Sequence, residues 1–207
     1  MKYTFANPFH LIALAVGIGA IAGLHTQDDA IENKFQPDRP LGTTFDKIMS
    51  IGANPFVLGG ATLAALGISE LAGYKKGAAT AGTLLEAVGL TEVMTIGLQL
   101  ATHRTRPDGS LNSLPSGHTS GAFALAAATE VLYGPWFGVP SFMLASLVGV
   151  SRIDANRHWA TDVMGGALLG TLVGIGTAEF HKKELSNFFL IPTVDEKSAG
   201  ISMLHIF

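Results

Sequence analysis

Side chains that bind or transfer phosphate are concentrated between residues 99 and 162, in three short stretches beside the ends of predicted helices. The three groups are Gln99, Arg104 and Arg106; Ser116, Gly117 and His118; and Arg152, His158 and Asp162. A guanidinium group stays charged at any working pH, and its planar donors match the oxygens of a phosphate. Arginines placed together with two histidines therefore predict a site that grips and cleaves phosphate esters.

The second stretch, Pro115 to His118, comes directly before an apolar run that predicts a helix over 118–133. The first amides of a helix have no partner within it, and the helix dipole makes this end attractive to anions. Ser116 can cap the helix and donate to an anion, and Gly117 lets the backbone approach closely. His118 can supply a proton near neutral pH. This stretch predicts an anion cradle with an acid beside it.

The third stretch places His158 and Asp162 four residues apart. In a helix such residues share a face, so the carboxylate can accept one ring N–H and leave the other nitrogen directed at the substrate. A histidine nucleophile with an orienting carboxylate is expected here.

The second and third stretches resemble motifs of a known family. Pro115-Ser-Gly-His118, and Ser151-Arg152 followed by His158 and Asp162, are similar to signatures of the type 2 phosphatidic acid phosphatase superfamily, which also contains bacterial acid phosphatases and vanadium haloperoxidases. The first motif of that family is Lys, six residues, then Arg-Pro. Arg106 and Pro107 fit it, whereas Gln99 stands at the Lys position. The resemblance covers roughly residues 82 to 175.

The resemblance implies roles for the individual residues. His158 would attack phosphorus and form a phosphohistidine, Asp162 would orient it, and His118 would protonate the leaving oxygen. The phosphoryl oxygens would be held by Arg106, Arg152, Ser116 and Gly117, with Gln99 at the remaining position. No metal or other cofactor is expected, because the arginines and the helix terminus supply positive charge, and either phosphate or vanadate could occupy the site.

Gln99 is a departure with a physical consequence. A neutral hydrogen bond is roughly half as strong as a charge-assisted one, so weaker phosphate binding or slower turnover is expected. Arg104 or His103 is a candidate to compensate.

Composition narrows the remaining classes of protein. The chain has 207 residues, of which 48% are hydrophobic and 14% charged, with a net charge of −3 and no cysteine. One domain is expected at this length, and disulfides and thiolate metal sites are excluded. Nothing indicates a nucleic-acid partner. The fold expected from the resemblance is all-α, a single bundle of about five to six helices.

The chain divides into three segments: 1–24, an apolar N-terminal segment; 25–183, the helical phosphatase-like domain; and 184–207, a tail whose alternating residues suggest a β-hairpin. For 9–24 three interpretations stay open: a signal peptide, a membrane anchor, or the first helix of the bundle. Residues 25–47 carry many charges and two prolines and are expected to form a polar connector. Helices are predicted over 55–71, 78–102, 118–133, 137–150 and 162 to about 181.

Several predicted apolar helices contain carboxylates, which bear on where the protein is located in the cell. The carboxylates concerned are Glu70, Glu86, Glu92, Glu130 and Glu179. Carboxylates are costly in lipid, so they favour a bundle that is periplasmic or only peripherally embedded. The expected location is the cell envelope, periplasmic or membrane-associated, with the site facing the periplasm or exterior.

The leading functional hypothesis is a phosphatase for phosphate monoesters, with lipid phosphates and polyprenyl diphosphate among the candidate substrates. A vanadate-dependent haloperoxidase would use the same ligands. A catalytically weakened phosphate-binding or scaffold protein of the envelope is the alternative that Gln99 motivates.

Overall fold

The computed structural model describes residues 8–36, 38–184, 189–195 and 198–204. Within them are α1 (Pro8–Leu24), a 3₁₀ turn (His25–Gln27), α2 (Asp28–Phe35), α3 (Gly42–Gly52), α4 (Pro55–Leu71), α5 (Lys75–Thr102), α6 (Gly117–Tyr133), α7 (Pro135–Asp154), α8 (Ala160–Glu184), β1 (Phe189–Asp195) and β2 (Ser198–Leu204). The all-α architecture expected from the resemblance is confirmed. The described residues contain eight α-helices rather than five or six.

The five long helices begin and end close to the predicted positions. At α4, Pro55 occupies the first turn, and the Asn54 side chain caps the helix by accepting the Phe56 N–H at 2.9 Å. A proline at this point loses no helical hydrogen bond, which is why the start of α4 was predictable.

The expectation of a polar connector over 25–47 is wrong. This region forms α2 and the first half of α3. Some of its charged residues, such as Asp28 and Asp46, contact the end of the bundle, whereas others, such as Lys34 and Lys47, are exposed. Asp28 is only 3% exposed, because it accepts hydrogen bonds from groups far along the chain. Local charge density predicts solvent exposure only where such tertiary partners are lacking.

The centre of the bundle is the pair α6 and α8, whose backbones approach closely. A Cβ on Gly166 would lie 2.7 Å from the Ser116 carbonyl oxygen, and one on Gly170 would lie 2.1 Å from that of Ser120. A Cβ on Gly174 would likewise meet the backbone of α6. The glycines spaced four apart thus allow the close packing that their spacing predicts. This packing brings the start of α8 against the start of α6.

Large apolar side chains cover much of the outer surface. On α5 and α7, Val93, Ile96, Met143 and Leu144 are each at least half exposed, while the interior consists mainly of alanines and other small residues. Within the part of the chain that the structure describes, three helices are long and apolar enough to cross a membrane: Lys75–Thr102, Pro135–Asp154 and Ala160–Lys182. The bent pair α3 and α4 could add a fourth span. These features support the membrane-associated form of the expected location.

The carboxylates in α5 are compatible with membrane association. Glu86 lies 2.7 Å from Nε2 of His181 on α8, and Glu92 faces an internal cavity. Carboxylates inside a membrane protein are tolerated when they are paired or face a cavity.

Near the N-terminus, α1 packs on α8, where Gly17 faces Leu168. The strands β1 and β2 pair antiparallel, with Phe189 opposite Leu204 and Asp195 opposite Ser198.

Candidate active site

The predicted site residues come together at one end of the bundle, where α5 and α7 end and α6 and α8 begin. Residues from six separate positions line one cavity of about 780 Å³: Gln99, Arg106, Gly117, His118, Arg152 and His158. Ser116 and Asp162 are fully buried directly behind it, with the Ser116 N–H donating to the Asp162 carbonyl at 3.0 Å. The three stretches of sequence therefore meet in space.

The start of α6 offers free backbone donors. Ser116 is the N-cap in an extended conformation, and the Ser120 N–H is the first to reach the Ser116 carbonyl, at 2.8 Å. The amides of Gly117, His118 and Thr119 consequently have no partner within the helix. Because Gly117 lacks a side chain, an anion can approach these amides closely.

The two arginines differ in how much of their donor capacity is occupied. Arg106 donates one hydrogen bond from Nη2 to the Asn112 carbonyl at 3.3 Å, and its buried Nε has no partner among the described residues. Arg152 is 4% exposed and is held by Asp46 of α3 and by Ser151. An unsatisfied buried guanidinium N–H is costly, so the free Nε of Arg106 is a donor that an anion would satisfy.

His158 is oriented by a carbonyl rather than by the predicted carboxylate. Its Nδ1 lies 2.8 Å from the Ser113 carbonyl oxygen and 3.7 Å from Oδ2 of Asp162. A carbonyl only accepts, so Nδ1 carries the proton and Nε2 keeps its lone pair. Burial lowers the pKa of His158, which favours this neutral form.

Asp162 supports His158 indirectly, through hydrogen bonds to two residues that adjoin the histidine. Its Oδ2 accepts from the Ser113 hydroxyl and, at 2.9 Å, from the Trp159 N–H. Asp162 therefore fixes the residue whose carbonyl holds the ring, and also the backbone next to His158. The expected direct hydrogen bond from the ring to Asp162 is replaced by this indirect contact, because the helix of α8 begins only at Ala160 and His158 precedes it.

Arg104 belongs to a buried ion-pair network and not to the phosphate cavity. Nη1 donates to Oδ1 of Asp162 at 2.6 Å, and Nη2 donates to Oδ2 of Asp28 at 2.7 Å. Asp28 also accepts from the Thr161 N–H at 3.0 Å. Burial opposes ionisation of Asp28, but hydrogen bonds from Thr161 and Arg104 outweigh it and lower the pKa of this carboxyl. The hypothesis that Arg104 compensates for Gln99 is wrong, since both ends of its guanidinium are already bonded.

Gln99 has a partner of its own. Its Nε2 donates to the Pro115 carbonyl at 2.8 Å, which ties the end of α5 to the residue before the α6 cap. Gln99 still lines the cavity, so it contributes to its wall as well as to its support.

His118 follows Gly117 at the start of α6 and also lines the cavity. Its Nε2 lies 3.1 Å from the Ser50 carbonyl oxygen of α3, so that nitrogen carries the proton. Ser113 and Asp28 are residues of the site that the sequence did not reveal, and Arg104 was singled out but with a different role. Only the position of Arg104 near Arg106 gave any signal.

These features define an all-α protein with a candidate anion-binding centre at one end of its helical bundle. Residues 99–186 match the family model of the PAP2 superfamily. These residues contain all three motifs on which the resemblance to that superfamily rests.

Two relatives give the comparison by sequence. The chain is 43% identical over 110 residues to the lipid A 1-phosphatase of Porphyromonas gingivalis, a match covering 49% of this chain and 25% of the relative. It is 32% identical over 72 residues to the undecaprenyl-diphosphatase BcrC of Bacillus subtilis, covering 35% of this chain and 37% of the relative. In both cases the chain matches well under half of the relative's length.

Two crystal structures share the fold. A transmembrane PAP2 type phosphatidylglycerolphosphate phosphatase from Bacillus subtilis aligns with a TM-score of 0.68 at 24% identity, covering 84% of this chain and 96% of that one. LpxE from Aquifex aeolicus aligns with a TM-score of 0.53 at 26% identity, covering 66% and 84% respectively.

Proposed function

We propose that this protein is a metal-independent phosphatase that removes phosphate from lipid phosphates through a phosphohistidine. The observation that carries the proposal is the shape of the cavity. One end holds Arg106, His118 and His158, and the wall continues along α5 to Val88 and Leu85. From Gln99 to Leu85 a helix rises about 21 Å, which is long enough to accompany a hydrocarbon chain.

In the first step Nε2 of His158 attacks phosphorus and the bond to the leaving oxygen breaks. Arg106, Arg152 and the free amides of α6 hold the phosphoryl oxygens and stabilise the charge of the transition state. The leaving oxygen takes a proton from His118. Because Nε2–H of His118 is bonded to Ser50, the proton that is transferred would be on Nδ1. Burial and the charge of Arg152 lower the pKa of His118 to about 4 in the free site, so His118 would take up this proton only when a bound phosphate anion offsets the arginine charge.

In the second step water attacks the phosphohistidine. His118, now neutral, accepts a proton from the water as the phosphorus–nitrogen bond breaks, and His158 leaves as a neutral group. Inorganic phosphate departs and the site returns to its first state. The names of the two sequence relatives support lipid phosphates as the substrate class. The active site is proposed to face the periplasm or exterior.

The test is to trap the intermediate. Detergent-solubilised protein is mixed with a ³²P-labelled lipid phosphate, quenched within milliseconds to seconds, and assayed for acid-labile, alkali-stable label together with released phosphate. Wild type and the exposed control Lys34→Gln should label and turn over alike, whereas His158→Ala should do neither. Undiminished labelling of His158→Ala would overturn the assignment.

Gln99 gives one reason to consider a second function, a weakened phosphate-binding or scaffold protein. Its amide is engaged with Pro115, so the charged donor expected at this position is lacking. Phosphate binding without label and without turnover in the same assay would favour this function.

A further inference from the structure

A polar stripe continues from the phosphate end of the cavity along α5. Glu92, Thr95 and Gln99 are three and four residues apart, so they lie on one face of the helix, and all three line the cavity. Thr95 is 1% exposed. Two atoms of this stripe, Oε1 of Glu92 and Oγ1 of Thr95, are buried and have no hydrogen-bond partner in the part of the chain that the structure describes.

The carboxylate of Glu92 sits against the first two turns of α6. The position of a Cβ on Gly117 would be 3.5 Å from Oε2 of Glu92, and that of a Cβ on Gly121 would be 3.1 Å from Oε1. The lack of a side chain at Gly121 makes room for the carboxylate, whereas a Cβ on Gly117 would make an ordinary van der Waals contact with it. Gly117 is also the residue whose amide is free at the predicted phosphate cradle, so the two sites adjoin.

This arrangement has no evident structural benefit for the free protein. Burying a carboxylate oxygen and a hydroxyl without partners is unfavourable, and a negative charge beside a phosphate site weakens binding of a bare anion. Both costs are removed by a ligand that brings hydrogen-bond donors next to its phosphate. Carboxylate and hydroxyl oxygens accept such donors, and a buried acceptor without a donor rejects analogues that lack one.

We propose that Glu92 and Thr95 form a second subsite that binds hydroxyl or ammonium donors on the substrate, close to the phosphorylated carbon. The inference rests on the proposed phosphatase function and narrows its substrate class. The preferred substrates are lipid phosphates with a hydroxylated or amine-bearing headgroup, such as a glycolipid phosphate or a lysoglycerol phosphate. Polyprenyl and simple alkyl phosphates, which carry only hydrocarbon beyond the phosphate, are poorer substrates.

The experiment compares matched substrates in the same detergent: hexadecyl phosphate, which has no donor, 1-acylglycerol 3-phosphate, which has one hydroxyl, and an amino-sugar lipid 1-phosphate, which has hydroxyl and amine donors. The wild type should prefer the two donor-bearing lipids in kcat/KM by roughly a hundredfold or more. Glu92→Met and Thr95→Val should lower kcat/KM for these two lipids by roughly tenfold or more, and should leave that for hexadecyl phosphate unchanged or raised, because the variants no longer penalise a ligand without donors. Which of the two donor lipids loses more identifies hydroxyl or amine as the main ligand.

Glu70→Gln serves as the control, because Glu70 is an exposed carboxylate that does not line the cavity. Thermal unfolding gives a second readout. Removal of an unsatisfied buried carboxylate should leave the unfolding temperature of Glu92→Met unchanged or raised. An equal fall on all three substrates, no fall on any, or lower stability of Glu92→Met would overturn the subsite.

The two proposals fail in different ways. If wild type cleaves hexadecyl phosphate but the variants do not discriminate among the lipids, the phosphatase function stands and the subsite is wrong. If wild type releases phosphate from none of the three, the proposed function fails, and the subsite with it.

Discussion

Arg104 is paired with Asp162: its Nη1 lies 2.6 Å from Oδ1 of the carboxylate that supports the predicted nucleophile His158. The other side of the same guanidinium holds Asp28, 76 residues away in sequence. The second oxygen of Asp162 accepts hydrogen bonds from Ser113 and Trp159. Ser113 contacts the ring of His158 through its carbonyl, and Trp159 follows His158 in the sequence. The position of the nucleophile thus depends on a residue that does not line the cavity.

Removal of Arg104 should lower kcat much more than it changes KM. Arg104→Gln leaves Asp28 and Asp162 without their shared cation, and breaking a buried pair costs about 3–5 kcal/mol, so a fall in stability is expected as well. Arg104→Lys keeps the charge and should fold better, yet it cannot bond both carboxylates in the same geometry and should still lose roughly tenfold in kcat. Steady-state kinetics and thermal unfolding of both variants, with Lys34→Gln as the control, measure these effects. Wild-type kcat in Arg104→Lys would contradict the positioning role.

The acid limb of the pH–rate profile should lie below the ordinary histidine range. His158 must be neutral to attack, and its lowered pKa means that it stays neutral to a lower pH than a free histidine, whose pKa is about 6.5. Asp162 favours the charged imidazolium, so Asp162→Asn should lower this pKa further and move the acid limb of kcat/KM to still lower pH. It should also reduce the rate by orders of magnitude, as loss of an orienting carboxylate does in serine hydrolases. An acid limb that moves upward in Asp162→Asn would refute this assignment.

A lysine at position 99 should tighten inhibition by phosphate or vanadate. Arg104 is held by Asp28 and Asp162 and does not compete for the space, so a new ammonium group would meet the anion beside Arg106 and Arg152. A charge-assisted contact contributes about 1.5–3 kcal/mol, which corresponds to roughly ten- to a hundredfold in the inhibition constant. Gln99→Met is the matched control, since it removes the bond to Pro115 without adding charge. Equal inhibition constants for wild type and Gln99→Lys would show that position 99 does not contact the anion.

Gly170 should tolerate no side chain. A Cβ there would lie 2.1 Å from the Ser120 carbonyl oxygen and 2.9 Å from the Ala124 amide nitrogen, so the backbones of α6 and α8 would have to separate. Overpacking of this kind typically costs about 1–3 kcal/mol and would also displace Ser116 from Asp162. Gly170→Ala should unfold at a lower temperature and lose activity, whereas the control Gly97→Ala, where nothing lies within 4 Å, should be neutral or stabilising. Equal unfolding temperatures for the two variants would count against this packing.

The helices and the residues at the cavity were predictable because their signals are local. The start of α4 follows from Asn54 and Pro55, and the glycines of α8 indicate close packing by their spacing. His118, Arg152 and His158 were recognised from motifs of at most twelve residues, whose residue types and spacing are local features of the chain. The region 25–47 was misjudged for the opposite reason, since the partners that bury Asp28 lie 76 and 133 residues away.

The sequence by itself indicated the resemblance to the family, the all-α fold, the five long helices and the residues that meet at the candidate site. Only the tertiary structure decided how those residues are held. It assigned the support of His158 to the Ser113 carbonyl, tied Gln99 to Pro115, and placed Arg104 between two carboxylates. Among the described residues, it also left Oε1 of Glu92 and Oγ1 of Thr95 without hydrogen-bond partners beside the predicted cradle. Hydrogen bonds and ion pairs between distant segments depend on angstrom-scale distances that helix packing sets, and residue type and spacing do not encode those distances.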